Sequence, residues 1–245
     1  MLCIKSEPRR LRRFNCFVYA LLVCLVGQAT PGAAQGDAGQ TSTLARLTAL
    51  RDTFTARIRA DGFTCPIAPP SIVVDHIPSF GNYDDEANVL HTADWAKLSP
   101  EERGLFLHLA GPNADENAAH TMFEEATHRW IFVHELGHWW QACRHANPLH
   151  SNYQIEYGAN RIALAYWREV DQDFANRMLT LFQGFVDHVP SPVPPGEATE
   201  PYFNTHYEQF GPTPAYRWYQ SYMIVVASEE KPAPSFAAAL AETRP

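Results

Sequence analysis

Past residue 24 this 245-residue sequence holds only two cysteines, Cys65 and Cys143. A framework of several disulfides is therefore excluded, and at most one intrachain bridge remains. Positive charge is scarce as well. Five of the 19 Lys and Arg and one of the 27 Asp and Glu fall within residues 1–34, so residues 35–245 carry a formal charge of −12. An acidic chain of this kind repels nucleic acid and offers no polybasic patch to a membrane surface, so neither is expected as a partner. Long apolar stretches are missing too. The one extended run, residues 16–26, has 11 residues, short of the roughly 20 that a membrane-spanning helix needs. There is no internal repeat.

What is present begins with a processing signal. Arg9, Arg10, Arg12 and Arg13 are followed by the apolar run and then by Gly27, Ala29, Gly32, Ala33 and Ala34. Basic, apolar, then small is the layout of a secretory signal peptide, with cleavage expected after Ala34. The alternative is an N-terminal membrane anchor that is kept. Either places the rest of the chain outside the cytoplasm, as a secreted or periplasmic protein with no lasting membrane partner once the signal is removed. Residues 35–40 read as a polar, glycine-rich linker, and residues 41–245 as one domain.

Within that domain, Leu44, Leu47, Leu50, Phe54 and Ile58 form one apolar stripe, which predicts a helix over residues 41–60. The core of the domain then runs from about residue 66 to residue 245. Residues 71–77 and 88–92 read as strands, with a turn over residues 80–86 between them. Ser99-Pro100-Glu101-Glu102 is a helix start, with Ser as cap, Pro at the first position and Glu at the third. Helices follow over residues 117–146 (kinked or broken at that length), 151–167, 170–187, 214–227 and 235–241. A few strands and then mostly helices make a helix-dominated α+β fold.

The most informative stretch is His134-Glu135-Leu136-Gly137-His138, a complete H-E-x-x-H. At about 100° per residue, His138 lies about 40° round the helix from His134 and Glu135 about 100° round. Both imidazoles thus share a face one turn apart, with the carboxylate beside them. Two neutral imidazoles at that spacing can hold one zinc ion, and the glutamate can take a proton from its water. With 11 histidines in the chain, chance gives this motif in roughly 3% of such sequences, so context must decide. The flanks Trp130, Ile131, Phe132, Val133, Leu136, Trp139 and Trp140 are apolar almost all round, so the helix is buried. Buried imidazoles and carboxylates need partners. A metal satisfies all three groups; the plainer alternative is a core helix whose histidines bond to their neighbours.

A catalytic zinc site takes three protein ligands and one open position. Downstream candidates for the third are His145, His150, Glu156 and Glu169. His145 lies about 10 Å along the axis from His138, too far to share an ion. Glu156 follows the break at Asn147-Pro148, near the start of the next helix, where the chain can fold back over the imidazoles. Asn160 lies one turn further on the same face and can hydrogen-bond a zinc-bound histidine. Gly158 and Ala159 are small enough for two helices to approach closely. Cys143 lies about 180° round from His134 and so faces away from the metal; a disulfide to Cys65 on the back of the helix is expected in an oxidising compartment, two separate thiols being the alternative.

H-E-L-G-H followed by E-x-x-A-N resembles the gluzincins, zinc metallopeptidases with a His, His, Glu site on two helices. The small size is similar to their compact members, the minigluzincins. The resemblance covers about residues 120–168. It implies a zincin-like domain with one zinc per chain held by His134, His138 and Glu156, Glu135 as general base, and a peptide or protein substrate. Many members carry Asp where this chain has Asn160; a neutral amide orients the histidine without raising its basicity as much. The resemblance further implies a second donor to the oxyanion from a later segment, with His206, Tyr207, Tyr216, Arg217 and Tyr219 as candidates. The strand over residues 88–92 is a candidate edge for pairing with an extended peptide. Two rival readings remain open: a zinc amidohydrolase acting on a non-standard amide, and a non-catalytic binding domain stabilised by zinc.

Overall fold

Ser99 and Glu102 form the reciprocal cap that their spacing predicts. Glu102 N donates to Ser99 Oγ at 3.2 Å, and Ser99 N donates to Glu102 Oε2 at 2.7 Å. The helix they start, α2, runs Pro100–Ala110 and stops at Gly111, whose φ of 115° suits glycine. It is one of several helices around a small sheet in the computed structural model, which describes residues 33–144 and 151–242. The architecture is helix-dominated α+β. The signal-peptide reading of residues 1–32 and the candidates His145 and His150 lie outside the described residues. No helix among the described residues is long and apolar enough to cross a membrane.

The first helix, α1, spans Ala33–Ala60. It takes in residues 35–40, read above as a linker. Gln40 marks where the extension meets the rest: its Nε2 donates to the Val74 carbonyl at 2.8 Å. Further along, Leu47, Phe54 and Ile58 are buried, whereas Leu44 is exposed.

The sheet holds β1 (Ser71–Asp75), β2 (Gly81–Asp84) and β3 (Val89–Ala93) in the order β1-β3-β2. Strand β3 runs parallel to β1 and antiparallel to β2. Two expectations are corrected here. The strand read over residues 88–92 is the central one, so it has no free edge for a peptide. The turn read over residues 80–86 contains β2, an edge strand. Gly-Asn-Tyr-Asp has no apolar alternation to betray a strand; partners in β3 and on a neighbouring helix hold it instead. Phe80 and Asn88 flank it with φ of 65° and 52°, uncommon for residues with a side chain. Phe80 is kept there by burial and by an edge-on contact with Phe106 at 5.0 Å.

The long helix expected over residues 117–146 is broken in an informative way. After α3 (Glu116–Phe123), capped by Asp115, residues Glu124–Ile131 form a π-helical segment that passes directly into α4 (Phe132–Cys143). A π stretch widens the turn and re-aims the helix that follows it, and such stretches gather at functional sites. Next comes α5 (Asn152–Val170), started by a second reciprocal cap between Ser151 and Gln154. The remaining helices are α6 (Gln172–His188), α7 (Thr199–Phe210), α8 (Pro214–Ser228) and α9 (Phe236–Glu242). The first three enclose the site. The main core gathers Trp139, Trp140, Tyr166, Phe174 and Phe236 between α4, α5, α6 and α9. Cys143, at the end of α4, is joined by a disulfide to Cys65, with Cα atoms 5.1 Å apart.

Candidate metal centre

Helices α4 and α5 cross at Gly137 and Ala159. A methyl group on Gly137 would sit 3.1 Å from the Ala159 Cα and 3.2 Å from its carbonyl oxygen, so the two backbones are close to contact. On α4 that crossing lies between His134 and His138; on α5 it lies between Glu156 and Asn160. The sequence spacing therefore turns all four side chains toward one another. Ligand atoms of His134, His138 and Glu156 all lie within 4.8 Å of each other. The two Nε2 atoms are 3.0 Å apart, and Glu156 Oε2 is 3.3 Å from one and 3.6 Å from the other. Glu156 is 4% exposed and His134 6%, so water does not screen this group.

The far nitrogens decide what the imidazoles can do. His134 Nδ1 lies 2.9 Å from Asn160 Oδ1, and His138 Nδ1 lies 2.8 Å from Gln141 Oε1. An amide oxygen only accepts, so each Nδ1 carries a proton, and in the neutral imidazole each Nε2 offers a lone pair. The amides are fixed in turn. Asn160 Nδ2 donates to Gln220 Oε1 at 2.6 Å, Gln220 Nε2 donates to Glu156 Oε2 at 2.8 Å, and Gln141 Nε2 donates to the Ile155 carbonyl at 2.8 Å. A closed chain of hydrogen bonds thus runs from His134 through two amides to Glu156. The donor set suits a divalent metal ion: two imidazole nitrogens with their tautomers set from behind, and one carboxylate. This buried group could hold a metal ion.

Its electrostatics favour charge separation. Burial alone would push the His138 imidazolium down, but Glu156, with help from Glu135 and Gln141, holds its pKa up at about 9. Burial likewise opposes the Glu156 carboxylate, and His138 and His134 overcome it, keeping the pKa well below the usual value. Tyr207 Oη donates to Glu156 Oε1 at 2.8 Å. Burial and then Glu156 raise the pKa of both Tyr207 and Tyr216, so these phenols stay protonated donors.

Glu135 stands apart from the trio and faces β2. The Tyr83 backbone N–H donates to Glu135 Oε2 at 2.9 Å. Gly81 makes that approach possible, since a Cβ there would lie 2.4 Å from Ile131 Cγ2 and 3.3 Å from Glu135 Cγ.

A cleft of about 730 Å³ opens over His134, Glu135, His138 and Glu156. Its floor follows the helix. Ala126, Trp130 and Ile131 come first, then the His and Glu residues, then Gln141 and Ala142. Leu105 and Leu109 of α2 and Leu181 and Phe182 of α6 also line it, so the apolar floor residues share the cleft with apolar walls. Tyr207, Glu208, Tyr216 and Arg217 line the wall formed by α7 and α8.

Other candidates take different places. Glu169 pairs with Arg57 and accepts from Phe236 N, away from the cleft. His206 Nδ1 bonds the Tyr202 carbonyl, with the ring stacked on Tyr202. Tyr219 is buried among Phe203, Phe210 and Trp218. Sequence reasoning missed Gln141, Gln220 and Tyr83. Gln141 carried a signal, since it lies three residues after His138 on the same face; Gln220 and Tyr83 arrive through long-range packing and carried none. Comparison with protein-family models, with curated proteins and with solved structures gives no match.

Proposed function

We propose that this protein is a zinc-dependent metallopeptidase of the gluzincin type, with a zincin-like domain holding one zinc per chain. One observation carries the reading: the imidazoles of His134 and His138, each fixed through Nδ1 by an amide, converge through Nε2 on the Glu156 carboxylate, with Glu135 beside them on an open cleft. A closed structural site would be expected to supply a fourth ligand and would have no use for a base at position 135. Bound there, zinc supplies Lewis-acid chemistry, making water nucleophilic at neutral pH and polarising a carbonyl.

The chain's own residues do the rest. Glu135 accepts a proton from the attacking water and returns it to the leaving nitrogen. The Tyr83 N–H holds one carboxylate oxygen of Glu135 and so fixes the direction in which the other points. Tyr207 and Tyr216 line the cleft wall, and Tyr207 donates its hydroxyl proton to Glu156 Oε1, holding that carboxylate in place. Gln220, Asn160 and Gln141 hold the ligands in orientation. The basic, apolar, small layout of residues 1–34 and the Cys65–Cys143 disulfide support export to an oxidising compartment.

The test is elemental analysis of purified wild type, Glu135→Ala and Glu156→Ala, followed by a peptide cleavage panel. The reading expects zinc in wild type and in Glu135→Ala, weakened zinc binding in Glu156→Ala, and cleavage by wild type alone. Wild type that takes up no zinc after incubation with it would refute the reading.

A further inference from the structure

Arg217 is the one lysine or arginine among the described residues that line the cleft. It shares that lining with Asp85, Glu135, Glu156 and Glu208, yet it forms no ion pair with any described carboxylate. Elsewhere Arg46, Arg129, Arg161 and Arg177 each hold a carboxylate at 2.6 or 2.7 Å, while Arg168, which does not line the cleft, also lacks an ion pair among the described residues. The single side-chain hydrogen bond of Arg217 among the described residues runs from Nη1 to the Pro212 carbonyl at 3.1 Å, and its Nε is buried without an acceptor. Burial lowers its pKa, and no nearby acid offsets the effect; an arginine nonetheless stays charged.

Position adds to this. Arg217 follows Tyr216 and precedes Gln220 by three residues on α8. Gln220 donates to Glu156 and Tyr216 lies near enough for that carboxylate to raise its pKa, so this stretch of α8 faces the metal centre. A guanidinium that is partly desolvated and lacks a counter-charge carries a cost that an incoming anion relieves, and its planar fork suits a carboxylate. Apart from the two imidazoles, the rest of the cleft's charged lining is acidic and would repel such a group.

We propose that Arg217 anchors a carboxylate of the substrate, so that the cleft selects peptides with a free carboxylate close to the bond that is cut. This rests on the metallopeptidase reading above. Two sources share the chemistry: the peptide's C-terminus and an Asp or Glu side chain.

The experiment uses two sets of N-acetylated tetrapeptides. In the first, each pair differs only in a C-terminal carboxylate or carboxamide. In the second, all are carboxamides and each pair differs by Glu or Gln at one position. Binding is measured by titration calorimetry on zinc-loaded Glu135→Ala, and KM on zinc-loaded wild type. The carboxylate member of at least one set should bind about 10- to 100-fold more tightly, the size of a charge-assisted contact. The set that shows the preference identifies the source. Adding Arg217→Gln should bring the ratio to unity with zinc content unchanged, and Arg217→Lys should keep only part of it. Should Arg217→Gln fail to fold, an undiminished ratio in Arg217→Lys overturns the proposal. So does a ratio of unity without any Arg217 substitution, a ratio that survives Arg217→Gln, or no binding of any peptide. Binding preference without cleavage by wild type would refute the peptidase reading and leave the anchor standing.

Discussion

Two His–Glu groups lie along the same run of helix, one at His128 and one at His134 and His138. Both include a buried histidine and a carboxylate from one or two turns away or from another helix. At His128 one ring nitrogen is hydrogen-bonded to the protein, and the other, buried and without a hydrogen bond, only faces a carboxylate. Nε2 donates to the Ala93 carbonyl at 2.8 Å, and Nδ1 lies 3.2 Å from Glu124. Glu124 also holds Arg46 at 2.7 Å and faces His120 at 3.5 Å. Burial would raise the Glu124 carboxyl, but His128 and Arg46 keep it down at about 2. That group ties β3 and α1 to the π segment, and its charges are settled internally. At His134 and His138 each Nδ1 is held by an amide, and the two Nε2 atoms meet each other at 3.0 Å beside Glu156. Burial is common to both groups. What marks the second is a set of donor atoms left facing one point.

Four measurements break or sharpen that contrast. The largest effect belongs to Glu135. Glu135→Gln should cut kcat/KM by about 10²- to 10⁴-fold, the worth of a positioned general base, while elemental analysis still finds zinc; His128→Ala should not change the zinc content either. Next, His128→Ala should lower unfolding free energy by about 2 kcal/mol in denaturant titration, because it leaves the Ala93 carbonyl in the core without this donor. If it instead abolished zinc binding, the division between the two groups would fail.

A smaller effect is expected from the amides. Asn160→Ala or Gln141→Ala should weaken zinc by about 10- to 100-fold in a chelator competition, as loss of an orienting partner does. The smallest is pH. With the metal removed, the raised His138 pKa contributes stability that is complete below about 6.5 and lost as pH rises toward about 9. The lowered Glu156 pKa contributes stability present above 4.5 and lost as pH falls through its folded value. Zinc must displace the His138 proton, so its affinity should rise by about tenfold per pH unit and level off near pH 9. An affinity flat between pH 7 and 9 would contradict the His138 assignment.

How much of this could be read beforehand depends on where the interaction is encoded. The H-E-x-x-H face, the Ser99 cap and the return of Glu156 follow from local periodicity and from one forced reversal, so the sequence displayed them. Strand β2 did not show because its four residues carry no alternation; Gly81 matters for the side chain it lacks. Helix α7 went unread between prolines, so Tyr207 was named as a candidate without the helix that delivers it to Glu156. Gln220 lies 64 residues from Glu156 in the chain, and nothing local announces that contact. Chemistry confined to one turn was legible; chemistry assembled by packing was not.

The Gly137–Ala159 crossing has one more consequence. Side chains can rotate to absorb an error, but here the two helices meet main chain to main chain. The spacing between the imidazoles and Glu156 is therefore gauged by covalent geometry, as a machined shim sets the gap between two plates. A single added methyl at position 137 would act as a wedge, parting the plates without touching a ligand, and the dimension to which the site is most sensitive is set by a hydrogen atom.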